Sequence, residues 1–241
     1  MLEDLRHALR KGWGDLAAMR SDVMFACLLY PLMGAVLLGL ATQGNLTHLL
    51  FPVLSGFALV GPVAALGLYE LSRRREAGLP VSWAAMFDVL RSPRFPRIVM
   101  LALVNGVIFM AWLLLADAIH TATLWADAPR GLGVFLNEVV TTPAGWAMAV
   151  IGTGVGFVLA ALVLAVSVVS FPLLLDRDVS LPVAVMTSIQ VARENPVVIA
   201  AWGLIVAVGL AVGILPVLLG LIVVLPVLGH ATWHLYRAAV V

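Results

Sequence analysis

The pair of histidines near the end of the chain, His230 and His234, suggests metal chemistry more clearly than any other residues. On a helix, side chains four residues apart share one face about 6 Å apart along the axis, which suits two ligands of one metal ion. A complete site needs further ligands, and Asp176 and Asp178 are the candidates. A haem iron held by two histidines takes them from opposite sides of the ring, which one such pair does not provide.

The residues around the two histidines favour a different interpretation. Trp233, Tyr236 and Arg237 follow a long apolar run. Aromatic residues and a cation at the end of a helix are typical of the membrane–water interface. We therefore favour membrane anchoring and local hydrogen bonding here over a metal or haem carrier, and we predict no cofactor.

Few other polar residues lie inside the apolar stretches. Glu70 is the deepest acid, and it can pair with Arg73 or Arg74 one helical turn later. This spacing favours a structural ion pair over a proton relay. Asn105 lies well inside an apolar stretch, where its amide can hydrogen-bond across helices. A further charged group, at the end of another stretch, consists of Asp176, Arg177 and Asp178.

The composition predicts that the chain resides in a lipid bilayer. Of its 241 residues, 63% are hydrophobic and 11% are charged, whereas a soluble domain has about 25% charged residues. The formal net charge of +1 gives no indication of nucleic-acid binding. The single cysteine, Cys27, excludes an intrachain disulfide.

Six stretches are apolar enough to span a bilayer, which requires about 20 residues. They are residues 23–41, 49–71, 97–119, 146–175, 197–214 and 217–236. The fourth is too long for one straight span, and Ser170, Phe171 and Pro172 form a place where it can bend. The fifth and sixth are joined by Leu215 and Pro216 in a tight hairpin. We therefore predict an all-α polytopic membrane protein with six transmembrane helices.

The basic residues predict its orientation, because cytoplasmic loops are rich in Lys and Arg. The N-terminal segment, the second and fourth connections and the C-terminus together hold 13 of the 14 basic residues. Only Arg130 falls on the opposite side. Both termini are therefore predicted to be cytoplasmic.

Amphipathic interfacial helices are predicted on the same side. In residues 2–20 an apolar stripe at helical spacing consists of Leu2, Leu5, Leu9, Trp13 and Leu16. This helix either lies in the membrane interface or packs on other cytoplasmic segments of the same protein. The connections 79–96 and 181–196 both open with Leu-Pro-Val, 102 residues apart, and each is typical of a short amphipathic helix.

This repetition suggests helical hairpins joined by interfacial helices. An N-terminal segment, 1–22, precedes a membrane domain, 23–241, which divides into units 23–96 and 97–196 and a partial third unit, 197–236. Internal repeats are common in transporters, although any helical membrane protein can contain them. Small residues that allow close helix packing form two GxxxG pairs, Gly152 with Gly156 and Gly209 with Gly213.

Three stretches resemble a known bacterial family. They are FALVGPVAALGLYELSRRREAG (57–78), VVSFPLLLDRDV (168–179) and LPVLGHATWHLYR (225–237). The family is catalogued as predicted integral membrane proteins of domain of unknown function 2189. The resemblance extends over nearly the whole chain and implies a multi-pass protein of the bacterial inner membrane. Some members carry a cytochrome c oxidase label; the residues here do not support a catalytic oxidase subunit, and an accessory or assembly role beside a respiratory complex stays open.

Three functional hypotheses follow. The chain has no Walker-type loop, CxxC, HExxH or serine elbow, so we expect a non-enzymatic protein. The leading hypothesis is an accessory or assembly factor of a membrane complex, such as a respiratory one. The first alternative is a small-molecule or ion transporter, for which Gly61 and Pro62 mark a possible helix break. The second alternative is a metal or haem carrier that uses His230 and His234.

Overall fold

The structure of the protein, a computed structural model, describes residues 2–28, 31–32, 34–36, 39, 47–124, 132–216 and 218–240. It is all-helical, with 88% helix and no strand in these residues. The α-helices are α1 (Leu2–Cys27), α2 (Leu50–Ala64), α3 (Leu66–Glu76), α4 (Phe95–Leu124), α5 (Leu132–Thr141), α6 (Pro143–Ser167), α7 (Ser170–Asp176), α8 (Leu181–Glu194), α9 (Pro196–Ile214) and α10 (Leu221–Val240). Two 3-10 helices, Thr47–Leu49 and Trp83–Arg91, lie in connections.

Three segments of the described chain are long and apolar enough to cross a membrane: α4, α6 together with α7, and α9. The prediction of six spans is not confirmed. The stretch 23–41 is described only in part, because seven of its nineteen residues lie outside the described residues. The stretch 49–71 is divided between α2 and α3, and the last helix begins only at Leu221 instead of residue 217.

Two predicted spans are interrupted near a proline, which lacks a backbone N–H and whose ring crowds the carbonyl four residues earlier. One interruption lies at Ala65, between α2 and α3 and three residues after Pro62. The other lies at Val168 and Val169, between α6 and α7. The second interruption includes Val168, whose carbonyl lies four residues before Pro172, so it falls slightly before the place of the predicted bend at residues 170–172.

Serine side chains stabilise the second interruption. The Ser188 hydroxyl of α8 accepts a hydrogen bond from the Val169 N–H (3.2 Å) and donates one to the Ala165 carbonyl (2.7 Å). The Ser170 hydroxyl lies within hydrogen-bond distance of the Val166 carbonyl of α6 and of the Ala184 carbonyl of α8 (3.1 Å). The interruption is therefore packed against α8, which is the helix predicted for the connection 181–196. In the corresponding connection 79–96, the predicted short helix is a 3-10 helix, Trp83–Arg91, with Ala85 and Val89 buried.

Helix α1 packs along α10, with their backbones in close approach at Gly12. A Cβ at Gly12 would lie 2.7 Å from the Ala231 nitrogen. Of the two placements predicted for the N-terminal helix, packing on the same protein is the one observed. The helix also runs to Cys27 without a break at residue 22. Of the predicted stripe, Leu5 and Leu16 are buried and Trp13 is 58% exposed, so the face packed on the protein is centred on Ala8 and Gly12.

Candidate functional site

A buried polar cluster joins α1, α3 and α10 around Asp15, which is 5% exposed. One carboxylate oxygen, Oδ2, accepts a hydrogen bond from the Ser72 hydroxyl (2.6 Å) and lies 2.9 Å from His234 Nε2. The other, Oδ1, accepts a bond from Arg75 Nη1 (2.5 Å). The Ser72 Oγ also lies 2.7 Å from His230 Nδ1. The two histidines that the sequence singles out thus share a cluster with one carboxylate and one hydroxyl.

The partners of Asp15 keep its side chain charged. Burial on its own raises the pKa of this carboxyl, but the hydrogen bonds from His234 and Ser72 outweigh burial and lower the pKa below its usual value. Electrostatic interactions with His230 and His234 also lower the pKa of Asp15. The cluster therefore holds a buried carboxylate whose oxygens are occupied by donors from two other helices.

Sequence reasoning missed Asp15, although a signal for it exists. Ala8, Gly12 and Asp15 recur at intervals of four and three residues, so they lie on one helix face. Small residues at the first two positions allow α1 to approach α10 closely. That approach places the third residue beside His230 and His234.

The ligands expected to complete a metal site with the histidines do not join them. Asp176 accepts a hydrogen bond from the Tyr236 hydroxyl (2.8 Å), and Asp178 pairs with Arg97. In the part of the chain that the structure describes, no three His, Cys, Asp or Glu side chains come together to hold a metal ion. The immediate neighbours of the histidine pair are Asp15 and Ser72.

The aromatic residues predicted to anchor the last helix in the membrane interface contact protein acids instead. Trp233 and Tyr236 are each only 1% exposed. Trp233 Nε1 donates to Glu76 Oε2 (3.0 Å), and Arg237 Nε donates to Glu76 Oε1 (3.1 Å). The anchor interpretation is therefore wrong for these side chains, because their polar atoms are used to fasten α10 to α3 and α7. Arg237 and Arg177 also lie 3.5 and 3.9 Å from Asp176 Oδ2.

Glu70 is placed between the two arginines that follow it. Arg73 binds both carboxylate oxygens, at 2.8 and 2.7 Å, and Arg74 Nε donates to Oε1 (2.9 Å). Arg74 Nη2 extends the network to Asp88 (2.6 Å), which lies on the 3-10 helix Trp83–Arg91. With both oxygens of Glu70 occupied by guanidinium groups, this geometry fits a structural link between α3 and the following connection.

Polar and small residues also make contacts between the apolar helices. Asn105 on α4 exchanges two hydrogen bonds with Ser167 at the end of α6, at 3.0 and 3.2 Å. Three of the four glycines of the GxxxG pairs lie against neighbouring side chains: Gly156 against Trp112, Gly209 against Val224 and Leu228, and Gly213 against Leu221. Gly152 differs, because a Cβ there would meet nothing within 4 Å.

An apolar cavity of about 500 Å³ lies between α2, α3, α6, α9 and α10, with Ala192 of α8 also in its wall. Both interruptions contribute to its wall, through Gly61, Pro62 and Ala65 on one side and Val168 on the other. The hydroxyl of Thr232, also in the wall, donates to the Leu228 carbonyl of its own helix (2.7 Å). The cavity is therefore suited to a hydrophobic molecule.

A second cavity, which we call the polar cleft, has a volume of about 480 Å³ and lies beside Asp15. Its lining residues come from α1, α3 and α10. They are His7, Arg10, Lys11, Gly14, Asp15, Ser72, Arg75, Glu76 and His234. The two cavities thus differ completely in chemistry.

Comparison with known proteins is consistent with the membrane character of these helices. A family model described as predicted integral membrane protein (DUF2189) matches residues 50–176, which is more than half of the chain. The matched range includes the stretch 57–78 and most of 168–179, and it ends before 225–237. No curated protein and no solved structure matches the chain. The chain belongs to the DUF2189 family and is an integral membrane protein.

Proposed function

We propose that this protein is a non-enzymatic membrane protein that binds a small hydrophobic molecule among its helices. The apolar cavity is the observation that supports this function. Its volume of about 500 Å³ falls within the range of ligand sites, roughly 300–1,000 Å³. None of the described residues that line it is charged, so its chemistry fits a hydrocarbon-rich molecule and not an ion.

The mouth of the cavity indicates where such a molecule comes from. Phe157 on α6 and Leu204 on α9 belong to the lining, yet they are 73% and 65% exposed. Both helices are long and apolar enough to cross a membrane. A molecule dissolved in the bilayer can therefore reach the cavity sideways, between α6 and α9.

The repeated architecture supports transport of such a molecule. The offset of 102 residues between the two Leu-Pro-Val sequences aligns Ala65 with Ser167, the last residue of α6. Both interruptions are thus at equivalent places in units 23–96 and 97–196, and both line the cavity. In many transporters, discontinuous helices of two repeats form the substrate site.

The remaining details of our proposal come from the sequence. They are six spans, cytoplasmic termini and a location in the bacterial inner membrane. An accessory or assembly role beside a respiratory complex also stays a prediction. Purification of the tagged chain from native membranes in mild detergent, followed by mass spectrometry, tests it: stoichiometric respiratory subunits in the eluate support the role.

The cavity itself is tested by what the purified protein retains. Ala161 and Ala147 are both exposed on α6, but only Ala161 lines the cavity. We expect wild type and Ala147→Phe to carry a hydrophobic molecule into the mass spectrometer, and Ala161→Phe to lose it. Far-UV circular dichroism checks that each variant is folded. Equal retention by all three proteins, or no retained molecule in the wild type, contradicts the proposal.

A further inference from the structure

We propose that the polar cleft beside Asp15 is a binding site for a phosphoryl group, carried by a lipid headgroup or by a soluble phosphate ester. This inference is independent of the apolar cavity. The cleft brings together cationic side chains from two helices, Arg10 and Lys11 on α1 and Arg75 on α3. Its volume of about 480 Å³ is larger than a phosphate ion needs, so the group is attached to a larger molecule.

The charge balance of the cleft favours an anion. Both of its acids already have partners: Asp15 has Arg75 and His234, and the Glu76 carboxylate accepts bonds from Trp233 and Arg237. In contrast, Arg10 and Lys11 have no acidic partner among the described residues. The cleft therefore keeps two uncompensated positive charges. A phosphoryl group, which carries one to two negative charges at neutral pH, compensates them.

The donor types also match a phosphoryl group. Guanidinium groups bind phosphate oxygens through paired hydrogen bonds, and an ammonium group adds a compact charge. The buried Asp15 pairs with Arg75 and so restrains that guanidinium at the edge of the cleft (2.5 Å). The carboxylate thus acts on the anion indirectly, by positioning Arg75.

Gly14 leaves space for a ligand in the polar cleft. This residue lines the cleft, and a Cβ added to it would meet no atom within 4 Å. A larger side chain at this position therefore adds volume at the wall of the cleft, and its Cβ meets no neighbouring atom. It also improves the helix propensity of α1, since glycine is the poorest helix former after proline. We therefore expect Gly14→Leu to obstruct the site, and far-UV circular dichroism checks that the variant is folded.

Thermal unfolding of the full chain in detergent micelles tests the site, because a ligand that binds only the folded state raises the Tm. One arm titrates inorganic phosphate against chloride at constant ionic strength. The other adds phosphatidylglycerol to the micelles, or the same amount of diacylglycerol, which lacks the phosphate. A saturable rise with phosphate identifies a soluble phosphoryl compound as the ligand class, and a rise with phosphatidylglycerol alone identifies a headgroup.

Three variants distinguish the cleft from general electrostatics. Arg10→Gln and Gly14→Leu should weaken binding roughly tenfold or more, as expected for loss of a charge-assisted hydrogen bond or of the space. Arg6→Gln is the matched control, since Arg6 is exposed on the same helix but does not line the cleft. Absence of a saturable response to either probe overturns the inference, and so does equal weakening by Arg6→Gln.

Discussion

Replacing Asp15 by asparagine should destabilise the protein by about 3 kcal/mol. The carboxylate accepts bonds from three side chains, and hydrogen bonds to a charged group contribute roughly 1.5–3 kcal/mol each when buried. Arg75 is 42% exposed and can return to water, so its share is below about 1 kcal/mol. Ser72 and His234 are largely buried and supply the rest. The amide keeps one acceptor oxygen, which limits the loss.

Unfolding in mixed micelles with increasing SDS, followed by circular dichroism, measures this change. Asp178→Asn provides the control, because Asp178 is also paired with an arginine, Arg97, but lies in solvent with 74% of its side chain exposed. We expect no measurable change for that variant. If Asp15→Asn and Asp178→Asn lose the same small amount, the cluster does not hold α1 against α3 and α10, and our reasoning about it is wrong.

Further predictions concern the same helix contacts. Gly12→Ala should cost about 1–3 kcal/mol of unfolding free energy because its Cβ meets the α10 backbone, whereas Gly14→Ala, with open space, should gain up to about 1 kcal/mol. Ser188→Ala should lower the unfolding free energy by about 1–2 kcal/mol. Thr187→Ala should lower it clearly less, because Thr187 bonds only within its own helix. Unfolding in SDS measures both pairs of variants. Because the pKa of Asp15 is lowered by folding, its contribution is complete above about pH 4 and is lost as the pH falls through the lower folded value. Acid titration of the unfolding free energy should show a smaller loss in Asp15→Asn than in the wild type, because the other paired carboxylates, such as Glu70, are present in both proteins.

Local patterns in the sequence predicted local structure well. The three long apolar helices follow from hydropathy, which depends only on composition along the chain. Glu70 meets Arg73 and Arg74 because one helical turn separates them. Asn105, as an amide inside an apolar helix, had to find a partner on another helix, although the sequence did not indicate that the partner is Ser167.

Contacts between distant segments could not be predicted in this way. Asp15 meets Ser72 and His234, which are 57 and 219 residues away in the chain, and no periodicity indicates which helices become neighbours. The pattern of Trp233 and Tyr236 was ambiguous for a related reason. Aromatic residues beside a cation suit both a lipid headgroup and a buried carboxylate, and only the position of Glu76 and Asp176 decides between them.

The apolar cavity and the polar cluster around Asp15 lie in different parts of the helix bundle. The two interruptions line the cavity, whereas side-chain hydrogen bonds join the helices around Asp15. Near Asp15, α1, α3 and α10 are held together by charged and hydroxyl groups. The helices are interrupted at Ala65 and Val168, and both residues line the cavity. At the second interruption the Ser188 hydroxyl bonds to the backbone of Ala165 and Val169. In the function that we propose, a ligand enters from the side where Phe157 and Leu204 are exposed, which would favour molecules that dissolve in the bilayer.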